Sequence, residues 1–172
     1  MAKVAFIIDQ MYEDSEFRVP YDRVKEAGHV PVVIGLEAGK KLEGKSDGDK
    51  VTTEKAIGEV SADDFAALVI PGGYSPDKIR TDAKMVQLVK DIHGAGKPVA
   101  AICHAGWMLA EADIVKNKTV TSWPSIKTDL VNAGADWVDQ EVVEDGNIIT
   151  SRKPDDLEAF TKTLLSQIEQ TT

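Results

Sequence analysis

The chain has 172 residues, enough for one domain spanning 1–172 whose core stands without disulfide or metal staples. Its 29 acidic and 20 basic side chains give a net charge of −9, and Lys40-Lys41-Leu42-Glu43-Gly44-Lys45 is too diluted to form a basic patch, so neither nucleic acid nor membrane is expected as a partner. One cysteine closes no internal disulfide, no charged-then-apolar leader opens the chain, and no apolar run approaches the roughly 18 residues of a membrane span, so a cytoplasmic location is expected.

Lys3 to Ile8 is a continuous apolar run opened by one lysine, the pattern of a first, central strand buried on both faces of a parallel sheet. After the loop 9–15, Phe17, Val19, Val24 and Ala27 recur at near-helical spacing, with Pro20 early and Gly28 as terminator. Val30 to Ile34 reads as a second strand, so the opening is β-α-β with a right-handed parallel crossover. From Gly35 to Val60, scattered glycines break up short alternating pieces such as Lys50-Val51-Thr52-Thr53, which predicts a small hairpin excursion.

Ala67 to Ile70 is another buried strand, stopped by Pro71-Gly72-Gly73, and Met85, Val86, Leu88, Val89 and Ile92 form one face of a helix running to about Ala95. A strand ending at Cys103 and a helix follow, then a short strand Thr119-Val120-Thr121 and a helix from Ser125 to Ala133 stopped by Gly134. Glu141 to Glu144 and Ile148 to Ser151 flank Asp145-Gly146-Asn147, a hairpin signal, and Pro154 to Asp156 open a last amphipathic helix. The sum predicts an α/β fold: a three-layer α/β/α sandwich with a flavodoxin-like, mostly parallel sheet, its ligands beyond the carboxyl ends of the strands.

Three segments converge at those ends. Cys103 stands where the apolar run Val99-Ala100-Ala101-Ile102 gives way to His104-Ala105-Gly106-Trp107-Met108-Leu109. A nucleophile on such a strand-to-helix turn needs small neighbours two positions to either side, which Ala101 and Ala105 supply, and the helix start favours thiolate over thiol. Among the acidic residues Glu13, Asp14 and Glu16, all able to serve as ordinary N-terminal helix partners, Glu16 is the candidate to share the thiol proton. Gly72-Gly73 lets backbone amides face a reacting oxygen, so the N–H groups of Gly73 and His104 are the expected oxyanion donors. His104 can serve as base if its ring is oriented, whereas His29 and His93 read as surface or packing histidines. One cysteine and three scattered histidines predict no metal site, and no cofactor is expected.

The sequence resembles the PfpI family of intracellular cysteine peptidases and general stress proteins, within the glutamine-amidotransferase-like superfamily. The resemblance rests on Glu13-Asp14-Ser15-Glu16, Pro20-Tyr21, Glu26-Ala27-Gly28-His29, Ile70-Pro71-Gly72-Gly73, Lys97-Pro98-Val99-Ala100-Ala101-Ile102-Cys103-His104, Asn132-Ala133-Gly134-Ala135-Asp136-Trp137-Val138-Asp139, Asp145-Gly146-Asn147 and Thr150-Ser151-Arg152. It implies Cys103 as nucleophile, His104 as its general base or acid and Glu16 as the carboxyl touching the thiolate. It further implies that a neighbouring subunit supplies the acid orienting His104, at Asp77, in a homodimer or higher oligomer. Some relatives have glutamate there, one methylene longer. Many also have Gly-Pro after the histidine where this chain has Ala105-Gly106-Trp107, which makes Trp107 an expected part of the pocket rim.

Through that resemblance the chain is expected to be a stress-response enzyme whose thiolate attacks reactive carbonyls, either methylglyoxal and glyoxal or early glycation adducts on proteins. An intracellular cysteine peptidase is the alternative, since both begin with thiolate attack on a carbonyl. A redox sensor or chaperone using Cys103 stands as the non-enzymatic alternative. A glutamine amidotransferase is disfavoured because no histidine follows His104, and a phosphate-binding flavodoxin because the first loop is acidic.

Overall fold

Strand-forming apolar runs and helix-forming amphipathic ones alternate along most of the chain, and they fold accordingly. The computed structural model describes residues 1–171. In chain order the elements are β1 (Lys3–Ile7), α1 (Asp14–Glu26), β2 (Val30–Gly35), β3 (Lys41–Glu43), β4 (Lys50–Thr52), β5 (Lys55–Ala56), β6 (Ala67–Ile70), α2 (Ser75–Ile79), α3 (Ala83–Gly94), β7 (Val99–Ile102), α4 (Gly106–Glu111), β8 (Thr119–Val120), α5 (Lys127–Asn132), β9 (Asp136–Trp137), β10 (Val143–Asp145), β11 (Ile148–Ser151) and α6 (Leu157–Thr171). A seven-stranded sheet has the order β10-β11-β7-β6-β1-β2-β5. Its pairings are parallel except for β10, which runs antiparallel to β11.

Period-two alternation within the strands divides the core into two layers. Ala5, Ile7, Leu68, Ile70, Val99 and Ala101 pack on Met85, Val89 and Ile92 of α3 and Met108 of α4. Val4, Phe6, Val69, Ala100, Ile102 and Ile149 face the other way, onto Phe17 and Val24 of α1 and Phe160, Leu164 and Ile168 of α6. Phe6 and Phe17 meet edge to face with ring centroids 5.8 Å apart. The expected α/β/α sandwich is therefore present, with β1 inside the sheet between β6 and β2.

Three short elements depart from the expected pattern. The predicted excursion after β2 contains the β3–β4 antiparallel hairpin, but Lys55-Ala56 returns to the main sheet as β5 beside β2. The predicted strand at Thr119 stays outside the main sheet, paired in parallel with β9. Ser75 to Ile79 forms α2, a helix that opens with Pro76, where a missing N–H costs nothing. Two or five residues are too few for periodicity to register.

The hairpin loop is clamped by the first turn of α1. Asp14, 4% exposed, accepts backbone N–H bonds from Ser46 at 2.8 Å, Asp47 at 3.1 Å and Asp49 at 2.8 Å. Asp49 in turn receives the Tyr12 hydroxyl at 2.7 Å and both forks of Arg18 at 3.1 Å. Burial alone would raise the Asp14 carboxyl, but these N–H donors outweigh it and hold the group below its ordinary range.

Asp14→Ala leaves three N–H groups without their acceptor and is expected to cost about 2–3 kcal/mol in urea unfolding at neutral pH. The folded state binds the Asp14 proton more weakly than the unfolded chain does. This contribution is therefore complete above the ordinary carboxylate range and is lost as pH falls through the depressed value, so the gap between wild type and Asp14→Ala should narrow in acid. A gap independent of pH would contradict the clamp.

Candidate active site

Strands β7, β6 and β1 are neighbours, so the turns that leave their carboxyl ends lie side by side. After β7 the chain turns sharply at Cys103, whose φ of 62° lies in the left-handed region that a side chain seldom adopts. Residues 103–105 form a single 3-10 turn before α4 begins. Ala101 and Ala105, 1% and 0% exposed, leave room for the turn, as expected of a nucleophile elbow.

After β6 the chain passes through Pro71-Gly72-Gly73, and a short antiparallel bridge joins Gly73 to Tyr12. The Glu13 N–H donates to the Gly72 carbonyl at 3.1 Å, and the Tyr74 N–H donates to the Met11 carbonyl at 2.9 Å. Gly73 has φ of +81°, and a Cβ there would sit 2.5 Å from the Glu13 nitrogen. Gly72 needs no unusual dihedral. Its missing side chain is instead filled by its neighbours, because a Cβ would run into Glu16 Oε1 and lie 2.8 Å from the Cys103 Cβ.

Glu16 is fully buried in the first turn of α1. Its Oε1 accepts the Gly72 N–H at 2.9 Å, while Oε2 has no hydrogen-bond partner among the described residues. Burial, followed by the charge of Glu13, pushes its carboxyl up to about 8. Burial also pushes the Cys103 thiol up, to about 12, with the Glu16 charge as second cause and the backbone N–H groups of His104 and Gly73 opposing. That second cause is absent while Glu16 keeps its proton. The expected lowering of the thiol by the helix start is thus outweighed: the cysteine is deeper than a surface elbow, and α4 is only six residues long.

His104 lies beside the thiol, with Nδ1 3.3 Å from Cys103 Sγ. Its Nε2 is 3.3 Å from the Ser125 hydroxyl. Burial, with the Lys45 charge second, keeps the imidazole below its ordinary value, so it is neutral at neutral pH and able to accept a proton. The ring is flanked by Trp107 at 5.1 Å and Trp123 at 6.3 Å between centroids.

These groups open into a cavity of about 250 Å³ lined by Glu13, Glu16, Lys45, Gly73, Tyr74, Cys103, His104, Trp123 and Pro154. Lys45 reaches it from the hairpin loop and pairs with Glu13 at 2.9 Å. Of the residues singled out in the sequence, Cys103, His104, Glu16 and Gly73 come together here. Trp107 does not line the cavity. It is half-buried behind His104, its indole N–H donating to Asp129 at 2.9 Å, and Trp123 takes the wall instead. Asp77 is exposed on α2, and no hydrogen bond or ion pair within the chain joins it to His104. Lys45, Trp123 and Ser125 left no local signal, because loops that start far along the chain carry them to the site. Among the described residues, no group of three or more His, Cys, Asp or Glu side chains is arranged to hold a metal ion.

The profile of the DJ-1/PfpI family matches residues 2–167. The chain belongs to the DJ-1/PfpI family. A Bacillus subtilis relative, YraA, named as a candidate cysteine protease, is 46% identical over 167 residues, which cover 97% of this chain and 98% of its own. Protein/nucleic acid deglycase 2 of Escherichia coli is 44% identical over 164 residues, covering 95% of each. Among solved structures, a two-domain protein of Anabaena variabilis containing DJ-1/ThiJ/PfpI-like and ferritin-like domains superposes with a TM-score of 0.96 at 41% identity; the match covers 98% of this chain and 48% of that longer one. The superposition shows that fold along nearly the whole of this chain.

Glu16 binds its proton more tightly in the folded state than in the unfolded chain. Its contribution to stability is thus complete below the ordinary carboxylate range and is lost as pH rises to about 8. Glu16→Gln should remove that dependence: between about pH 5 and about pH 8 the wild type loses stability in urea titrations relative to the variant. A constant difference across that range would mean that Glu16 is charged throughout.

Proposed function

We propose that this chain is a Cys103-dependent enzyme of the stress response that acts on reactive carbonyls, either small α-oxoaldehydes or early glycation adducts on proteins. The observation that carries the reading is the setting of the Cys103 sulfur: it stands on a strained turn with φ of 62°, in a cavity it shares with Glu16 and Gly73, and an imidazole nitrogen of His104 lies 3.3 Å away. Membership of the family and the relative named as a deglycase support it. A mouth of about 250 Å³ suits a small carbonyl better than a folded polypeptide. The family profile, running from residue 2 to residue 167, supports reading the chain as one domain.

The chemistry follows from the geometry. His104 takes the Cys103 proton through Nδ1, and the thiolate adds to the aldehyde carbon of methylglyoxal, forming a C–S bond and an alkoxide. The Gly73 and His104 N–H groups receive that alkoxide as oxyanion donors. His104 gives the thiol proton to that alkoxide, then removes the hydrogen from this carbon and returns it to the neighbouring one while the hydroxyl proton passes to the former ketone oxygen, so the aldehyde carbon is oxidised as the ketone carbon is reduced. The product is a lactoyl thioester on Cys103, which water cleaves to lactate and the free thiol. Attack on a glycated amine starts the same way, with the amine as leaving group.

Asp77 enters this reading only through a second copy of the chain. Its exposure on α2, three residues after Tyr74 of the cavity wall, is compatible with reaching a neighbour's His104. We take the active species to be at least a dimer, in the cytoplasm, and no helix among the described residues is long and apolar enough to cross a membrane.

Lactate should form from methylglyoxal with purified wild type, without glutathione or added metal, and not with Cys103→Ser. Turnover by the serine variant would overturn the proposal. Failure of both with aldehyde, alongside cleavage of peptides by the wild type alone, would establish the peptidase alternative that the YraA name suggests. Asp77→Asn should lower turnover while leaving the rate of Cys103 alkylation unchanged; unaltered turnover would remove the second subunit from the mechanism.

A further inference from the structure

The cavity that holds Cys103 is also lined by an ion pair that the reaction steps above do not use. Lys45 Nζ and Glu13 Oε2 meet at 2.9 Å, and the Ser46 hydroxyl donates to the same Glu13 oxygen at 2.9 Å. We propose that Glu13 is a specificity-determining residue: by holding the Lys45 ammonium it withholds that cation from the carboxylate or phosphate of a substrate, so the cavity takes uncharged carbonyls in preference to anionic ones. The inference deepens the reading of Cys103 as attacking reactive carbonyls and rests on it.

A count of charges gives the pair its consequence. The titratable side chains lining the cavity are Glu13, Glu16, Lys45, Tyr74, Cys103 and His104. Glu16 is uncharged below about 8, and the imidazole is held below its ordinary value. At neutral pH, before the thiol ionises, Lys45 and Glu13 are therefore the charged members, and they cancel. An anionic substrate meets no free cation there, and the negative charge developing on sulfur repels it in a site partly screened from water. Without the Glu13 charge the same wall would present an unpaired ammonium.

The pair is held from both sides. Glu13 stands at the N-terminal cap position of α1, a helix of 13 residues whose start favours a carboxylate. The Lys45 ammonium lies 5.8 Å from the centre of the Tyr74 ring, and its hydrogen bond to Glu13 is the first cause that keeps it above its ordinary value. The backbones are tied as well: the Lys45 N–H donates to the Tyr12 carbonyl at 2.9 Å and the Glu13 N–H to the Gly72 carbonyl at 3.1 Å. With Asp14 gripping Ser46, Asp47 and Asp49, loop and helix start form one unit. The Glu13 side chain is only 15% exposed, so a substrate carboxylate competing for Lys45 must displace a partner fixed by the hydroxyl, the helix and the loop.

The test compares alkylation of the full chain by iodoacetamide, which is neutral, and iodoacetate, which is an anion of nearly the same size. Cys103 is the only cysteine, so labelling followed by mass spectrometry reports this cavity alone. In both reactions the thiolate forms a C–S bond and iodide leaves, so the ratio of the two rate constants, scaled to free cysteine, cancels any change in thiolate population. Rates are measured at low ionic strength and about pH 6.5, below the Glu16 midpoint, for wild type, Glu13→Gln, Lys45→Gln and the double variant. Glu13→Gln should raise the iodoacetate-to-iodoacetamide ratio about tenfold, Lys45→Gln should lower it, and the double variant should return it near the wild-type value. The changes should shrink in about 1 M salt. An unchanged ratio in Glu13→Gln, or a wild type that already favours iodoacetate over free cysteine's preference, would overturn the proposal. Phenylglyoxal and its para-carboxylate extend the comparison to turnover: wild type should show the higher kcat/KM on the neutral compound, and Glu13→Gln should narrow the difference. If neither compound nor methylglyoxal is converted, the carbonyl reading fails, while the alkylation ratio still decides the role of Glu13.

Discussion

The Glu16 carboxyl and the Cys103 side chain meet beyond the end of β6 because Gly72 has no side chain to separate them. Any Cβ at that position would occupy the space taken by the Glu16 carboxylate and by the Cys103 Cβ. The parallel sheet brings the carboxyl ends of β1, β6 and β7 into line, and the paired glycines then let the first turn of α1 approach the elbow. The strained φ of Cys103 and the left-handed φ of Gly73 belong to the same arrangement. Positive φ at a side-chain-bearing residue costs on the order of 1–3 kcal/mol, and the buried layers on both sides of the sheet hold it in place.

Electrostatics at this point follow from burial. Removing Glu16 from water disfavours its charge, so the carboxyl is expected to carry a proton at neutral pH, as a hydrogen-bond donor rather than a repelling anion. The same burial resists ionisation of Cys103. Forming a thiolate here therefore depends on His104 as the base that takes its proton, on the Gly73 and His104 N–H groups, and on Glu16 being uncharged beside it. Among the described residues Lys45 is the one lysine or arginine on the cavity wall, and its pairing with Glu13 leaves that wall close to neutral. The hairpin loop that delivers Lys45 is fastened by Asp14, two residues from Glu16, so one helix start both anchors the loop and supplies the buried acid.

Long patterned segments were readable from sequence. The apolar runs at Lys3 to Ile8, Ala67 to Ile70 and Val99 to Ile102 became neighbouring strands, and the position of Cys103 at the end of the last one placed the elbow. Small residues at 101 and 105 and the Gly72-Gly73 pair made the local geometry legible, because only such residues permit it. Trp107 was misplaced because sequence adjacency to His104 does not say which way a side chain leaves a turn: the ring went behind the imidazole. Trp123, Ser125 and Lys45 were invisible because they arrive from segments whose path depends on tertiary contacts. The two-residue β5 and the five-residue α2 were invisible for a different reason, being shorter than any period that could announce them.

The central claim is that Glu16 holds a proton beside Cys103 at neutral pH. Carbon NMR of the Glu16 carboxyl, assigned by comparison with Glu16→Gln and followed across the pH range, tests it most directly. The account predicts a midpoint near about 8. A midpoint in the ordinary range, about 4.3, would show that the carboxylate is charged whenever the enzyme works, and would leave the thiolate without its buried donor.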